Sequence, residues 1–337
     1  MGETVLSIKP LLAVLVSLAA VVPIAASGRR PNLREGWTFL AGGLKFYLIL
    51  SMLPVVLAGQ SIEYTWLEVL PGLPIAFRVD ALGMLFALVA SFLWLVTSTY
   101  SIGYMRGLQE HSQTRYFAFF AVSLSATIGV AFAANLFTLY LFYEVLSLAT
   151  YPLVTHHQDQ EARASGRKYL AFILGTSISL VLPAMLIVYS QAGTLDFAAG
   201  PLAGDLPRQT VLLLLFMFIF GFAKAGVMPV HAWLPAAMVA PTPVSALLHA
   251  VAVVKVGVFS IARVAFDVLG VQTLGRLDVG VYLAIVAAVT ILVASLIALS
   301  QDGLKRRLDL ARALATRRTT AAVMPGPNES VLAVEGM

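Results

Sequence analysis

Apolar runs of about 20 residues recur along nearly the whole of this 337-residue chain, and a helix of about 20 residues is what a ~30 Å hydrocarbon core requires. A backbone that crosses lipid must satisfy its own polar groups, so such runs are helices rather than open strands. Composition agrees, with 59% of residues hydrophobic and 12% charged, about half the charge of an ordinary soluble domain. The expected fold is all-α, a polytopic membrane helical bundle. Nine spans can be marked at about 4–26, 37–58, 80–103, 115–134, 135–154, 168–190, 210–240, 243–267 and 278–300, the seventh broken by Gly221, Gly226 and Pro229. Small residues close the first run at Ala25, Ala26 and Ser27, but Lys9 is the only cation before Arg29, so the run reads as a retained helix rather than a signal peptide. The stretch from Glu63 to Arg78, with Pro71, Gly72 and Pro74, reads as a turn or short hairpin outside the bilayer.

The cations give the chain a direction. With the N-terminus outside, fourteen of the 22 lysines and arginines fall in loops on one side, among them Arg29, Arg30, Arg34, Arg106, Arg115, Arg163, Arg167 and Lys168. Four fall on the other side, Lys9, Arg78, Arg208 and Arg276. The positive side is cytoplasmic, which predicts a multi-pass protein of the inner (plasma) membrane with a cytoplasmic C-terminal tail. The net charge of +5 is then a topology signal, and no nucleic-acid partner is expected. Cysteine is absent, which excludes disulfides, iron–sulfur clusters and thiolate zinc sites. No GxGxxG, Walker, CxxCH or HExxH motif occurs, so no cofactor is expected.

Charges inside the apolar runs each need a reason, since one isolated charge there costs about 2.5–3.5 kcal/mol on insertion scales. Glu144 lies nine residues past Asn135, about 13 Å deep. Tyr140, Ser147 and Tyr151 share its face, a polar stripe that points into a bundle. Lys224 sits just before the break in the seventh run, and irregular backbone is tolerated in a membrane only where protein or a water-filled cavity satisfies it. A nearby carboxylate changes how tightly a desolvated lysine holds its proton, so motion of Glu144 relative to Lys224 can load or unload one. A static pair that merely joins helices is the alternative. In the eighth run His249 and Lys255 lie at increasing depth, about 120° apart around a helix, so a proton passing between them needs water. Lys45 and Arg263 lie within snorkelling reach of the two surfaces. His111, His156 and His157 fall in loops expected to be solvated, and adjacent histidines lack the i, i+4 spacing of a helical metal site.

The stretch LFYEVLSLATYPLV (residues 141–154) resembles the fifth helix of the antiporter-like proton-conducting subunits shared by respiratory complex I, Mrp-type cation/proton antiporters and membrane-bound hydrogenases. FAKAGVMPVHAWLP (222–235) and APTPVSALLHA (240–250) resemble the broken seventh helix and the eighth helix of the same family. VVKVGVF (253–259) is more similar to the D-type Mrp branch and the hydrogenase branch than to chain 5 of complex I. The resemblance covers roughly residues 60 to 308.

It implies that Glu144 and Lys224 form the family's controlling ion pair, with His249, Lys255 or both as the relay that follows. It further implies three N-terminal helices (1–112), a five-helix proton-translocating repeat (113–267), the first helix of a second repeat (268–301) and a basic tail (302–337). Family members resemble two inverted five-helix repeats, whereas here no further span follows Leu308. Truncation, a frameshift or a partner chain supplying the second repeat each account for that. The expected role is a proton half-channel in a redox-driven pump of the NADH:quinone oxidoreductase or hydrogenase kind, a translocase subunit without redox chemistry of its own. Its expected partners are other membrane subunits, the lipid bilayer and protons or sodium. The alternatives are a D-type component of an Mrp sodium/proton antiporter and a non-conducting remnant. Sodium requires several oxygen ligands, and one carboxylate with two lysines favours protons.

Overall fold

In a computed structural model of the chain, which describes residues 4–247 and 252–299, helices dominate as the hydropathy requires. The N-terminal part holds β1 (Thr4–Leu6), α1 (Lys9–Ala19), α2 (Val21–Ala26), α3 (Pro31–Leu50), α4 (Leu53–Leu57), β2 (Ser61–Leu70), β3 (Leu73–Val79) and α5 (Ala81–Gly107). Next come α6 (Gln113–Ala131), α7 (Leu136–Val154) and α8 (Gln160–Thr176), which runs through a π-helical turn (Ser177–Val181) into α9 (Leu182–Ala192). The remainder is α10 (Arg208–Gly221), α11 (Trp233–Ala236), α12 (Thr242–Ala246), α13 (Val253–Arg263), α14 (Val271–Arg276) and α15 (Gly280–Leu299).

Seven stretches of the described residues are long and apolar enough to cross a membrane: Lys9–Ala26, Pro31–Leu57, Ala81–Gly107, Gln113–Ala131, Leu136–Val154, Gln160–Ala192 and Gly280–Ile297. The other two expected spans are not continuous helices. At 14 residues α10 reaches about 21 Å, short of the ~30 Å core. The eighth span, expected as one helix over 243–267, ends a first piece at Ala246 and restarts at Val253 after Ala252, whose φ of −120° and ψ of −73° are not helical. Residues 246–255 contain neither glycine nor proline, so the apolar pattern carries no mark of this interruption.

Local chemistry places the helix starts. Asp80, Asn135 and Asp159 accept hydrogen bonds from the backbone amides of Gly83 (2.7 Å), Thr138 (2.7 Å) and Ala162 (2.6 Å), capping α5, α7 and α8. The expected hairpin forms as β2 and β3, antiparallel, and it turns at Gly72, whose φ of +79° is costly for other residues. β1 adds to β2 in parallel. This small sheet lies at one end of the bundle, where the Asn135 side-chain amide donates to the Pro74 carbonyl (2.9 Å).

The opposite end collects the loops that the charge pattern groups together. Arg34 donates to Gln113 (2.8 Å), Arg106 pairs with Glu35 (2.5 Å), and Arg115 donates to the His156 carbonyl (2.7 Å). Between the ends, α6 and α7 form the centre of the main apolar core, with Phe120, Leu124, Leu139, Tyr143 and Leu146 fully buried. The helices that carry Glu144 and Lys224 therefore meet inside the bundle.

Candidate functional site

Phe222, with φ −80° and ψ 54°, leaves the helical region and ends α10 one residue after Gly221. A single 3₁₀ turn follows over Ala223–Ala225, closed by Gly226 in the left-handed region. Every such break frees backbone groups, and here neighbours satisfy them. The Ala223 carbonyl accepts from the Gly226 amide (2.9 Å) and from the Trp233 indole N–H (2.9 Å). The Gly221 carbonyl accepts from the Thr176 hydroxyl (3.2 Å), and the Lys224 amide donates to the Tyr143 hydroxyl (3.2 Å). Gly257 lets α13 press onto the turn, because a Cβ there would stand 2.1 Å from the Ala225 nitrogen.

Lys224 is fully buried at this turn. Its ammonium donates to the Tyr143 carbonyl (2.5 Å) and to the Ser147 hydroxyl (2.7 Å), and it lies 3.2 Å from the centre of the Tyr143 ring. The Ser147 hydroxyl in turn donates to the Tyr143 carbonyl (3.1 Å). Its hydrogen is thus committed within α7 and is not offered to Glu144.

Glu144 is the complement of this arrangement. Both carboxylate oxygens are buried and neither has a hydrogen-bond partner. The groups that act on it are Lys224, through its charge, and the hydroxyls of Ser177 and Ser147. Ser177 opens the π-helical turn, which brings a second hydroxyl to the carboxylate. The structure therefore brings Glu144 and Lys224 to one place but docks the ammonium on Tyr143 and Ser147 rather than on the carboxylate. Tyr143 is the residue that sequence reasoning missed. It stands beside Glu144 in the 141–154 stretch, but its role as a carbonyl and ring acceptor depends on where Lys224 arrives.

Of the remaining expected site residues, His249 lies outside the described residues. Lys255 is half-buried in the first turn of α13, not midway along a continuous helix. It stands two residues before the Gly257 contact with the Lys224 turn.

Three other expectations resolve differently. Lys45 does not snorkel: it is fully buried, donating to the Ser17 hydroxyl (2.5 Å) and the Leu124 carbonyl (3.2 Å), 5.2 Å from the Trp94 ring centre. Arg263 is 4% exposed and joins both Asp80, through two hydrogen bonds, and Asp267 (3.0 Å). His156 is not solvated: it is fully buried, and burial, with His111, Arg115 and His157 nearby, pushes its imidazole down to about 4. In each case a partner from a distant loop or helix covers the side chain, which position along its own run does not reveal.

Residues 133–311, more than half of the chain, match the family described as NADH:quinone oxidoreductase/Mrp antiporter, TM. The chain belongs to this family. Residues 66–117 match a second description, NADH-Ubiquinone oxidoreductase (complex I), chain 5 N-terminus. Hydrogenase-4 component B of Escherichia coli (strain K12) is 34% identical over 236 residues, covering 69% of this chain and 34% of that relative. NADH-quinone oxidoreductase subunit L of Mycobacterium tuberculosis is 32% identical over 252 residues (73% and 38%). A Na(+)/H(+) antiporter subunit of Alkalihalophilus pseudofirmus is 30% identical over 254 residues (73% and 31%).

The matches run through the hydrogenase, complex I and Mrp branches alike, and the chain spans about a third of the length of these relatives. Two solved structures share the fold, each with a TM-score of 0.77 and 92% of this chain covered. They are the membrane-bound sulfane sulfur reductase, an archaeal respiratory membrane complex (23% identity, 63% of that chain), and the Mrp complex from Dietzia sp. DQ12-45-1b (22% identity, 57% of that chain). The chain is a multi-pass membrane protein of the antiporter-like subunit family.

Proposed function

We propose that this chain conducts protons as a membrane subunit of a multisubunit redox-driven or antiport complex, using Glu144 and Lys224 as its switch and Lys255 and His249 as the relay. The observation that carries the reading is a buried ammonium at a helix break, docked one serine away from a buried carboxylate that has no hydrogen-bond partner. An unpaired buried carboxylate is costly when charged. Charging Glu144 therefore draws the flexible Lys224 side chain off the Tyr143 carbonyl, and neutralising it lets the ammonium return. These are two discrete arrangements of one element, which is what a switch requires. Lys255, on the helix that presses against the Lys224 turn, is the next titratable group, reached through water.

The relatives' names, hydrogenase, NADH-quinone oxidoreductase and Na(+)/H(+) antiporter subunits, agree with a role inside a larger complex. The charge pattern orients the end bearing Arg34, Arg106 and Arg115 toward the cytoplasm. Protons are favoured over sodium because the Tyr143 carbonyl and the Ser147 hydroxyl already hold the ammonium, which leaves too few free oxygens for a cation shell.

The test is proton translocation by the assembled complex in native membranes. Glu144→Gln and Lys224→Ala should each abolish it while assembly persists on native gels, and the double variant should be no worse than either single, because both break one unit. Full translocation by Glu144→Gln overturns the proposal.

A further inference from the structure

The end of the bundle opposite the hairpin holds a cluster that the proton path does not use. The loop joining α5 to α6 carries Glu110 and His111, and the loop leaving α7 carries His156 and His157. Both loops are held tightly. The Glu110 amide donates to the Met105 carbonyl (2.9 Å), the Gln113 side-chain amide donates to the Glu110 carbonyl (3.1 Å), and Arg115 fixes the second loop through the His156 carbonyl (2.7 Å). One oxygen, Glu110 Oε2, stands 3.8 Å from His111 Nδ1, 3.9 Å from His156 Nε2 and 4.0 Å from His157 Nδ1.

Those distances are too long for hydrogen bonds, which lie at about 2.7–3.2 Å. A carboxylate that simply bonded one imidazole would sit against it, yet this one stands evenly among three, as groups do around a shared centre. The ligand atoms of Glu110, His111 and His157 all lie within 4.8 Å of one another. His156 supplies an independent sign: its ring is 0% exposed, faces Glu110, and neither of its nitrogens has a hydrogen-bond partner. Buried polar groups in native proteins are almost always partnered, and a metal ion on Nε2 is one such partner.

From this arrangement we infer that Glu110, His111, His156 and His157 form a zinc-type transition-metal site tying the α5–α6 loop to the end of α7. Three imidazoles and one carboxylate are nitrogen-rich ligands that suit Zn²⁺, whereas Mg²⁺ and Ca²⁺ take all-oxygen shells. Tetrahedral zinc at about 2.0–2.1 Å from each ligand sets the ligand atoms about 3.3 Å apart. The cluster must therefore contract by roughly half an ångström, which rotation of the half-exposed His111 and His157 rings can provide. The Arg115 charge beside the site weakens its hold on a dication, so an exchangeable ion is expected. Occupancy ties down the end of the helix that carries Tyr143, Glu144 and Ser147, although the site stands independently of the proton-conducting role.

The experiment titrates Zn²⁺ into the purified, chelator-stripped full chain in detergent with its affinity tag removed. Wild type should take up one equivalent, unaffected by excess Mg²⁺. Replacing both exposed histidines, His111→Gln with His157→Gln, should weaken binding by at least about 100-fold, since ligand loss exceeds the 10–100-fold typical of outer-shell changes. Absence of Zn²⁺ binding by wild type overturns the inference, as does unchanged affinity in the double variant, which would move the metal to His231 or His249. If the double variant does not fold, X-ray absorption of the zinc-loaded wild type decides. Scattering from about three imidazoles supports the site, and fewer than two overturns it.

Discussion

Lys45 in α3 and Lys224 at the end of α10 are both fully buried, and each ammonium has the same three kinds of neighbour. Around Lys45 these are the Ser17 hydroxyl, the Leu124 carbonyl and the Trp94 ring, and around Lys224 the Ser147 hydroxyl, the Tyr143 carbonyl and the Tyr143 ring. They differ in what else is within reach. Among the described residues no acid acts on Lys45, which sits in an unbroken helix. Lys224 lies at a break, and Glu144 acts on it from beyond Ser147. Acceptors and a ring make a buried cation tolerable, but a switch needs a second partner to which the cation can move.

The largest expected effect tests that difference directly. In the assembled complex Lys224→Met should lower proton translocation at least about 100-fold, about 2.7 kcal/mol in barrier terms, while Lys45→Met stays within about twofold of wild type. Proton uptake by sealed vesicles measures both. Loss of translocation in Lys45→Met would mean that a movable partner is not what separates the two sites.

A middle-sized effect comes from an acid that has its partners, in contrast to Glu144. Asp80 accepts from Arg263 and from the Gly83 amide. Burial pushes its carboxyl up, but the Arg263 hydrogen bonds and charge and the Gly83 amide outweigh that and hold it below the usual carboxylate range. Asparagine caps a helix as well as aspartate does, so Asp80→Asn removes the charge alone. It should cost about 2 kcal/mol in thermal unfolding, less than a fully broken buried pair because Asp267 still binds Arg263. A carboxyl held low stabilises the fold above its unfolded value and loses that contribution as pH falls through the folded one. The difference in Tm between wild type and Asp80→Asn should hold constant from pH 8 to about pH 5 and shrink below about pH 4. A gap that narrows already near pH 6 would show that Asp80 is not held low.

The smallest effect sharpens the Lys224 end. Ser147→Ala removes one of the two acceptors holding the ammonium, worth about 1 kcal/mol, so translocation should change by roughly fivefold without being lost. A complete loss would make the hydroxyl part of the path rather than a dock.

Much of this was legible without coordinates. The spans, the hairpin at 61–79 and the break after Gly221 follow from hydropathy, from glycine and proline, and from the demand that backbone groups in lipid be satisfied. Glu144 and Lys224 stood out because few charges occur in apolar runs. The interruption before Val253 was not legible, because the residues around it carry no helix-breaking signal. Tyr143 was not legible either, since its part is played largely by a backbone carbonyl.

What the sequence by itself determined is where this chain crosses the membrane, where its helices start and stop, and which ionisable groups lie at depth. These follow from local rules, namely the apolar content of a run, a capping side chain and a missing Cβ. Only the tertiary structure decided what each of those groups touches. Lys45 meets groups 28 and 79 positions away, Lys224 meets a carbonyl 81 positions away, and Arg263 meets an aspartate 183 positions away. Such partners are set by the rotation and contact of packed helices, and a helix's own period fixes which residues share a face but not what that face will meet.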